Sequence, residues 1–319
     1  MLRFKFTANP GFDFIREFAH CFDISAEKNY LAIPETLGSG FIRRIVFTNS
    51  FSLLVHRYQL NDSFTLKRDS PEKSNDFITL RFRDYQSVHQ RRVSNIQMLT
   101  HNISLEDSIA ANTLVLNVII NIHKDSLLRL FEEDISLQDL NLYLTKNNDA
   151  FLYQEHMTID IKNVMRSLVQ NAANPQLSMS YDKIKTLELI YLYFARLLVQ
   201  KRSSFAGLSK KDAETMLFLE HELLQNLHSL PRLSVLARSA GMSETKLKQL
   251  FKAVFGNSIY QYYQEARIRE AATLLQKTPG ITISEVAYSL GFTNLSHFSR
   301  LFRSYTGQNP KSYAMEHHR

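Results

Sequence analysis

Residues 233–262 read LSVLARSAGMSETKLKQLFKAVFGNSIYQY, and residues 283–313 read ISEVAYSLGFTNLSHFSRLFRSYTGQNPKSY. The second stretch repeats the first. Leu236 aligns with Val286, Ala237 with Ala287 and Gly241 with Gly291; after one inserted residue, Leu247 aligns with Phe298, Leu250 with Leu301, Phe251 with Phe302 and Gly256 with Gly307. Each copy predicts a short apolar helix carrying an alanine, a glycine where the chain turns, a Ser/Thr/Asn cap and a second amphipathic helix. This is the pattern of a helix-turn-helix, whose second helix can lie in the major groove of DNA.

In the first unit Ser243 is a suitable N-cap for a helix over 244–255. Leu247, Leu250, Phe251 and Val254 keep the i, i+3, i+4, i+7 spacing of a buried face, which leaves Thr245, Lys246, Lys248, Gln249 and Lys252 outward. The second unit predicts a helix over about 295–305 after a cap at Thr293 or Asn294. Phe298, Leu301, Phe302 and Tyr305 are expected inside, Ser296, His297 and Arg300 outside, and Ser299 and Arg303 on the flanks. Thr282 and Glu285 have the spacing of a capping box for the helix before it. A helix over 265–276 is expected to join the units, and another over 212–228 to lead into them, with Pro231 constraining the entry.

The two units close on GxxPxxY (Gly307, Pro310, Tyr313) and carry Arg267-Ile268, Ala271, Ile283-Ser284-Glu285-Val286-Ala287, Gly291-Phe292, Phe298 and Phe302. Over roughly 223–313 this combination resembles the DNA-binding domain of the AraC/XylS family of bacterial transcription regulators. One departure is Ala314, where the family often has an arginine, so a backbone-phosphate contact is lost. The resemblance implies a sequence-specific DNA-binding transcription regulator, an activator rather than a repressor, with promoter or operator DNA and RNA polymerase as partners. By correspondence with the family's recognition helices, Thr245, Lys248 and Gln249 would read bases while Lys246 and Lys252 hold phosphates. In the second unit Ser296, His297 and Arg300 would face the groove, and Arg303 would hold a phosphate. Arg300 is the strongest single candidate, because a guanidinium can make two hydrogen bonds to guanine O6 and N7. Two recognition helices about 34 Å apart would meet successive major grooves on one side of the duplex. Their outward residues differ, so the site should be asymmetric. The resemblance further implies a small cupin-like β-barrel at the N-terminus that binds an effector or contributes to a homodimer. Residues 181–189 (YDKIKTLEL) with 208–212 (LSKKD) are similar to the subset related to siderophore-responsive regulators.

Composition agrees with two domains. The chain has 319 residues, 44% of them apolar, and a formal net charge of +7. Residues 223–319 hold twelve Lys/Arg against five Asp/Glu, so the whole basic excess lies in the repeated region. A neutral front and a basic back fit a protein whose back meets a polyanion. The single cysteine, Cys21, excludes an intrachain disulfide and reads as a small core residue in a reducing compartment. Neither a signal-peptide run nor a membrane-spanning apolar stretch is evident, so a cytoplasmic location without membrane contact is expected.

The expected fold class is α+β, with a domain over 1–205 that is β-rich to about 124 and a helical hairpin over 125–205. An all-α domain over 206–319 follows, with helix-turn-helix units at about 230–256 and 282–307. Ile78, Leu80 and Phe82 alternate on one strand face, and 51–60 and 114–122 are further strands, with turns at Asn61-Asp62 and Ser70-Pro71. Strand residues such as Phe77 and Phe82 are candidates to line a pocket or fill a core. Residues 182–201 predict a helix with Ile184, Leu187, Ile190, Tyr191, Phe194 and Leu198 on one stripe, and 159–170 its antiparallel partner. That stripe either packs on its own β-domain or forms a dimer interface. Residues 203–207 (SSFAG) read as the linker.

No HxH or HxxxH pair links His20, His56, His89, His101 and His123, and Walker A, GxSxG and GxGxxG patterns are lacking. The runs Glu106-Asp107 and Glu132-Glu133-Asp134 are adjacent residues rather than a converging acid pair. The reading is therefore not an enzyme, with no cofactor and no metal implied. The competing readings are an architectural or nonspecific DNA binder, and a cupin-type metal-dependent enzyme domain fused to a DNA-binding domain.

Overall fold

The computed structural model describes residues 1–7, 12–71, 76–88, 92–133, 150–170, 174–199, 208–278 and 280–317. The linker expected at 203–207 and His89 lie outside the described residues. Two compact units, Met1–Glu214 and Thr215–Arg319, divide the chain.

The first unit begins with β1 (Leu2–Thr7), α1 (Phe14–Phe22), β2 (Tyr30–Ala32), β3 (Gly38–Thr48), β4 (Phe51–Leu60) and β5 (Phe64–Asp69). It continues through β6 (Phe77–Gln86), β7 (Arg92–Thr100), β8 (Leu105–Ile109), β9 (Leu114–His123), α2 (Lys124–Arg129) and β10 (Leu152–His156). The helices α3 (Ile159–Gln170) and α4 (Ser178–Val199) follow. Seven strands form an antiparallel sheet in the order β10-β7-β6-β9-β4-β3-β2, and β1-β5-β8 form a smaller one. In the small sheet β1 runs parallel to β5. Beyond the strand ends, Val88 N–H donates to the Ser108 carbonyl at 3.2 Å and Ala110 N–H to the Gln86 carbonyl at 3.0 Å, joining the sheets into a barrel-like closure.

Alternation on β6 places Ile78, Leu80 and Phe82 on one face, where with Val55, Met98 and Ile120 they pack against α3 and α4. Phe82 thus belongs to plain core. The opposite face would meet water in a lone sheet, yet Thr79, Arg81 and Arg83 are buried on it. The small sheet covers them. Its Asp107, on β8, ion-pairs with Arg81 and with Arg83 (2.5 Å), and accepts a hydrogen bond from Tyr85 at 3.0 Å. Burial alone would raise the Asp107 carboxyl; the guanidiniums of Arg81 and Arg83 outweigh it and hold the group at about 2.

His56 on β4 is fully buried against Phe14 (ring centroids 5.0 Å apart) and Tyr58 (5.8 Å), and among the described residues neither ring nitrogen has a hydrogen-bond partner. Burial, reinforced by Arg81 and partly offset by Asp107, pushes the imidazole down to about 3. The unfolded chain therefore binds the proton first. Stability should fall as pH drops below about 6.5, by up to about 1.4 kcal/mol per pH unit. In urea titrations of the full chain we expect His56→Phe to remove about 2 kcal/mol of the difference between pH 7 and about pH 5. An unchanged pH slope in the variant would contradict this assignment.

Three sequence-based expectations for this unit need correction. Region 125–205 is not wholly helical, because β10 pairs antiparallel with β7. It is covered on both faces, with Tyr153 in the apolar core and Gln154 accepting from Gln97 at 2.7 Å, so the segment lacks the alternation that marks a strand. On α4 the buried stripe is Asp182, Thr186, Leu189, Ile190, Tyr193, Phe194 and Leu197, whereas Ile184 and Tyr191 face outward. The Arg43 guanidinium decides the rotation: it grips Asp182 with two hydrogen bonds, 2.6 and 2.9 Å, and donates to the Leu168 carbonyl at 2.9 Å. Cys21 is exposed, because α1 turns Phe14, Ile15, Phe18 and Ala19 inward and leaves position 21 on its outer face.

Helix α5 (Lys210–Gln225), within which the division falls, replaces the expected 212–228. The second unit then holds α6 (Leu233–Ser239), α7 (Glu244–Phe255), α8 (Ile259–Lys277), α9 (Ile283–Ser289), α10 (Leu295–Thr306) and α11 (Pro310–His317). The joining helix α8 starts six residues before the expected 265, because Ser258 and Gln261 form a capping box that the periodicity did not reveal. Among the described residues no helix is long and apolar enough to cross a membrane.

Candidate DNA interface

The sequence repeat recurs hydrogen bond for hydrogen bond. After α6, Ala240 N–H donates to Leu236, Gly241 to Arg238 and Met242 to Ala237, at 3.0, 3.1 and 3.0 Å. After α9, Leu290 donates to Val286, Gly291 to Tyr288 and Phe292 to Ala287, at 3.3, 2.9 and 3.0 Å. The turn glycines have φ of +62° at Gly241 and +72° at Gly291, a left-handed conformation that favours glycine.

Each turn delivers a capped second helix. The Ser243 hydroxyl accepts from Lys246 N–H at 3.2 Å, and Asn294, rather than Thr293, accepts from His297 N–H at 2.9 Å. Gly256 and Gly307 close the helices in the left-handed conformation, donating to Lys252 and Arg303 at 2.8 and 2.9 Å. The box before α9 is present too. Thr282 donates to the Glu285 carboxylate from its N–H at 2.8 Å and its hydroxyl at 2.7 Å, bonds that hold the Glu285 carboxyl below its usual range, and Glu285 N–H donates back to the Thr282 hydroxyl at 3.2 Å.

On α7 the inward residues Leu247, Leu250, Phe251 and Val254 are buried, and Thr245, Lys246, Lys248, Gln249 and Lys252 are all exposed. On α10, Ser296, Arg300 and Arg303 are exposed, while His297 is half-buried with its ring 6.4 Å from that of Phe292. Phe298 and Phe302 are buried, but Tyr305 is 45% exposed. It lies near Glu265 and Arg269 of α8, so the phenol follows polar neighbours rather than the core. Among the described residues Lys248, Lys252, Arg300 and Arg303 have no ion-pair partner. Each helix therefore offers a cationic, hydrogen-bonding face of different chemistry, Thr/Lys/Gln on α7 and Ser/His/Arg on α10.

Two residues that hold this geometry were not singled out as site residues by the sequence. Arg267, on α8, lies over the Phe292 ring at 3.8 Å and donates to the Leu290 carbonyl at 2.6 Å. It ties the joining helix to the second turn, and burial lowers its guanidinium. His228, between α5 and α6, places its carbonyl against Gly291, where a Cβ would come within 1.8 Å of the oxygen. Arg267 carried a signal in the Arg-Ile motif; His228 carried none, since only backbone makes the contact.

A helix-turn-helix domain model matches residues 236–316. The regulator GlxA of Rhizobium meliloti is 39% identical over 79 residues, which is 25% of this chain and 24% of the relative. The transcriptional activator RhaR of Salmonella dublin is 34% identical over 130 residues, 40% of this chain and 46% of the relative. The chain thus spans less than half the length of these curated relatives. A solved structure of a probable AraC family transcriptional regulator from Rhodopseudomonas palustris is 26% identical, with a TM-score of 0.30, covering 32% of this chain and 96% of that one. With the duplicated turn, the capped second helices and the GxxPxxY close in one domain, the C-terminal unit is a DNA-binding helix-turn-helix domain of the AraC type.

Proposed function

We propose that the chain is a one-component transcription activator whose α7 and α10 read two successive major grooves of promoter DNA. The observation that carries this is the pair of identical turns presenting two dissimilar outward faces. Two faces of one monomer define an asymmetric site about two helical turns long, while the closing Gly307, Pro310 and Tyr313 complete the domain. Activation, and with it contact to RNA polymerase, is inferred from relatives such as RhaR, named as an activator. The N-terminal unit, on this reading, receives a small effector or a partner surface and biases DNA binding, which requires unequal affinity for two states. A homodimer is supported by the apolar residues Leu177, Ile184 and Tyr191, seven apart and each 62% exposed on α4 or just before it.

Base readers and phosphate holders separate by experiment. Arg300→Ala should cost about 1–3 kcal/mol on the selected sequence and relax preference at one base pair. Lys252→Ala should weaken all sequences alike and lower the salt slope by about one. Equal losses on selected and random DNA for Arg300→Ala, measured by fluorescence anisotropy, would remove its base-reading role.

A further inference from the structure

The barrel interior holds a charge imbalance. Among the described residues, Arg68, Arg81 and Arg83 are buried around Asp107, while the other buried carboxylates of this unit, Asp84, Glu155 and Asp182, pair with Arg92, Arg196 and Arg43. His56, Tyr58 and Tyr85 add no negative charge: burial keeps the His56 ring neutral and pushes the Tyr58 and Tyr85 phenols up, so they too stay neutral. Arg81 and Arg83 share Asp107, whereas among the described residues Arg68 donates only to the Ile103 carbonyl at 2.9 Å, and its buried Nε has no partner there. Arg68 and Arg81 line a cavity of about 140 Å³, with Asp107, already shared by Arg81 and Arg83, and His101 also on its wall, and the rest mostly apolar, among them Phe6, Phe12, Phe14 and Leu66. Arg44, also on the wall, is held by Asp13 at 3.7 Å. Uncompensated charge inside a protein is stabilised by a bound counter-charge. The cavity is close in size to one that admits a single benzene ring, about 150 Å³.

We infer that this cavity binds a small organic monocarboxylate whose apolar body is about the size of one ring, its carboxylate paired with Arg68 and its body against Phe6, Phe12 and Phe14. The inference rests on the reading of the N-terminal unit as the control domain and supplies the chemical class of its effector. A guanidinium can grip both carboxylate oxygens, and the phenylalanine rings favour an aromatic or alicyclic body over a polar one. A neutral sugar would satisfy neither requirement.

Calorimetric titration of the full chain with benzoate, cyclohexanecarboxylate and hexanoate, each beside its neutral amide, tests this, with inorganic phosphate as an anion lacking a body. At least one acid should bind at least about tenfold more tightly than its amide, and phosphate should not compete. Arg68→Met should abolish the preference for the acid and raise the melting temperature of the ligand-free protein, because it removes an unbalanced buried charge. Arg68→Lys should keep the preference. Binding of no acid, equal binding of acid and amide, or an Arg68→Met variant that retains the preference would overturn the assignment. Anisotropy on the selected DNA, run on the same samples, keeps the two readings apart: lost DNA selection would count against the regulator, and lost acid binding with intact DNA selection against the pocket alone.

Discussion

Gly291→Ala should unfold the second helix-turn-helix, whereas Gly241→Ala, at the equivalent place in the first, should be tolerated. Both glycines sit at positive φ, so a side chain costs about 1–2 kcal/mol at either. The surroundings differ. At Gly241 a Cβ meets nothing within 4 Å, but at Gly291 it would lie 1.8 Å from the His228 carbonyl oxygen and 2.8 Å from its carbon. No rotamer relieves a clash with backbone. His228 cannot simply withdraw either, since its N–H donates to Asn226 Oδ1 at 2.9 Å and its Nδ1 meets the Ser289 carbonyl at 3.3 Å. Gly291→Ala should therefore lose about 4 kcal/mol or more, a magnitude confined to disrupted cores and backbones. Denaturant titration followed by far-ultraviolet circular dichroism checks the pair, and equal losses at the two positions would contradict the account.

The second large effect is expected at Asp107. Asp107→Ala leaves Arg81 and Arg83 side by side in the interior with no carboxylate between them, and strands the Tyr85 hydroxyl. Removing one partner of a buried ion cluster costs about 3–5 kcal/mol, because the remaining charges stay desolvated. Urea titration of the N-terminal transition should show this loss at pH 7. The pH dependence follows from the depressed carboxyl: its contribution is present above the unfolded value near 3.9 and disappears as pH falls toward about 2. The variant should accordingly be less sensitive to acid in that window than the parent. A stability within about 1 kcal/mol of the parent at pH 7 would mean the cluster contributes little.

What the sequence reveals divides along physical lines. Local chemistry was legible: the caps at Ser243 and Thr282, the turn glycines and the apolar spacing of α7 and α10 act within a few residues, and the repeat states them twice. Strands β4, β6 and β9 were legible because one face packs on helices and alternates cleanly. The polar face of β6 was not, since Arg81 and Arg83 look like solvent-facing residues until a distant segment, β8, brings Asp107 over them. The same holds for α4, whose rotation is set by Arg43 139 residues away rather than by its own stripe, and for β10, whose two buried faces hide its period. For the interface, the outward set on α7 was readable from helical spacing alone. On α10 the spacing misplaced Tyr305, because polar side chains of α8 offer the phenol an alternative to the core.

The central claim is that one chain reads one asymmetric DNA sequence with two unlike helices, and selection of genomic fragments by the purified full chain tests it most directly. The enriched sequence should contain two dissimilar blocks separated by about one helical turn, each weakened by substitutions in only one recognition helix: Gln249→Ala for one block, Arg300→Ala for the other. A selection that enriches no sequence, or one in which both variants weaken the same block, would contradict the bipartite reading.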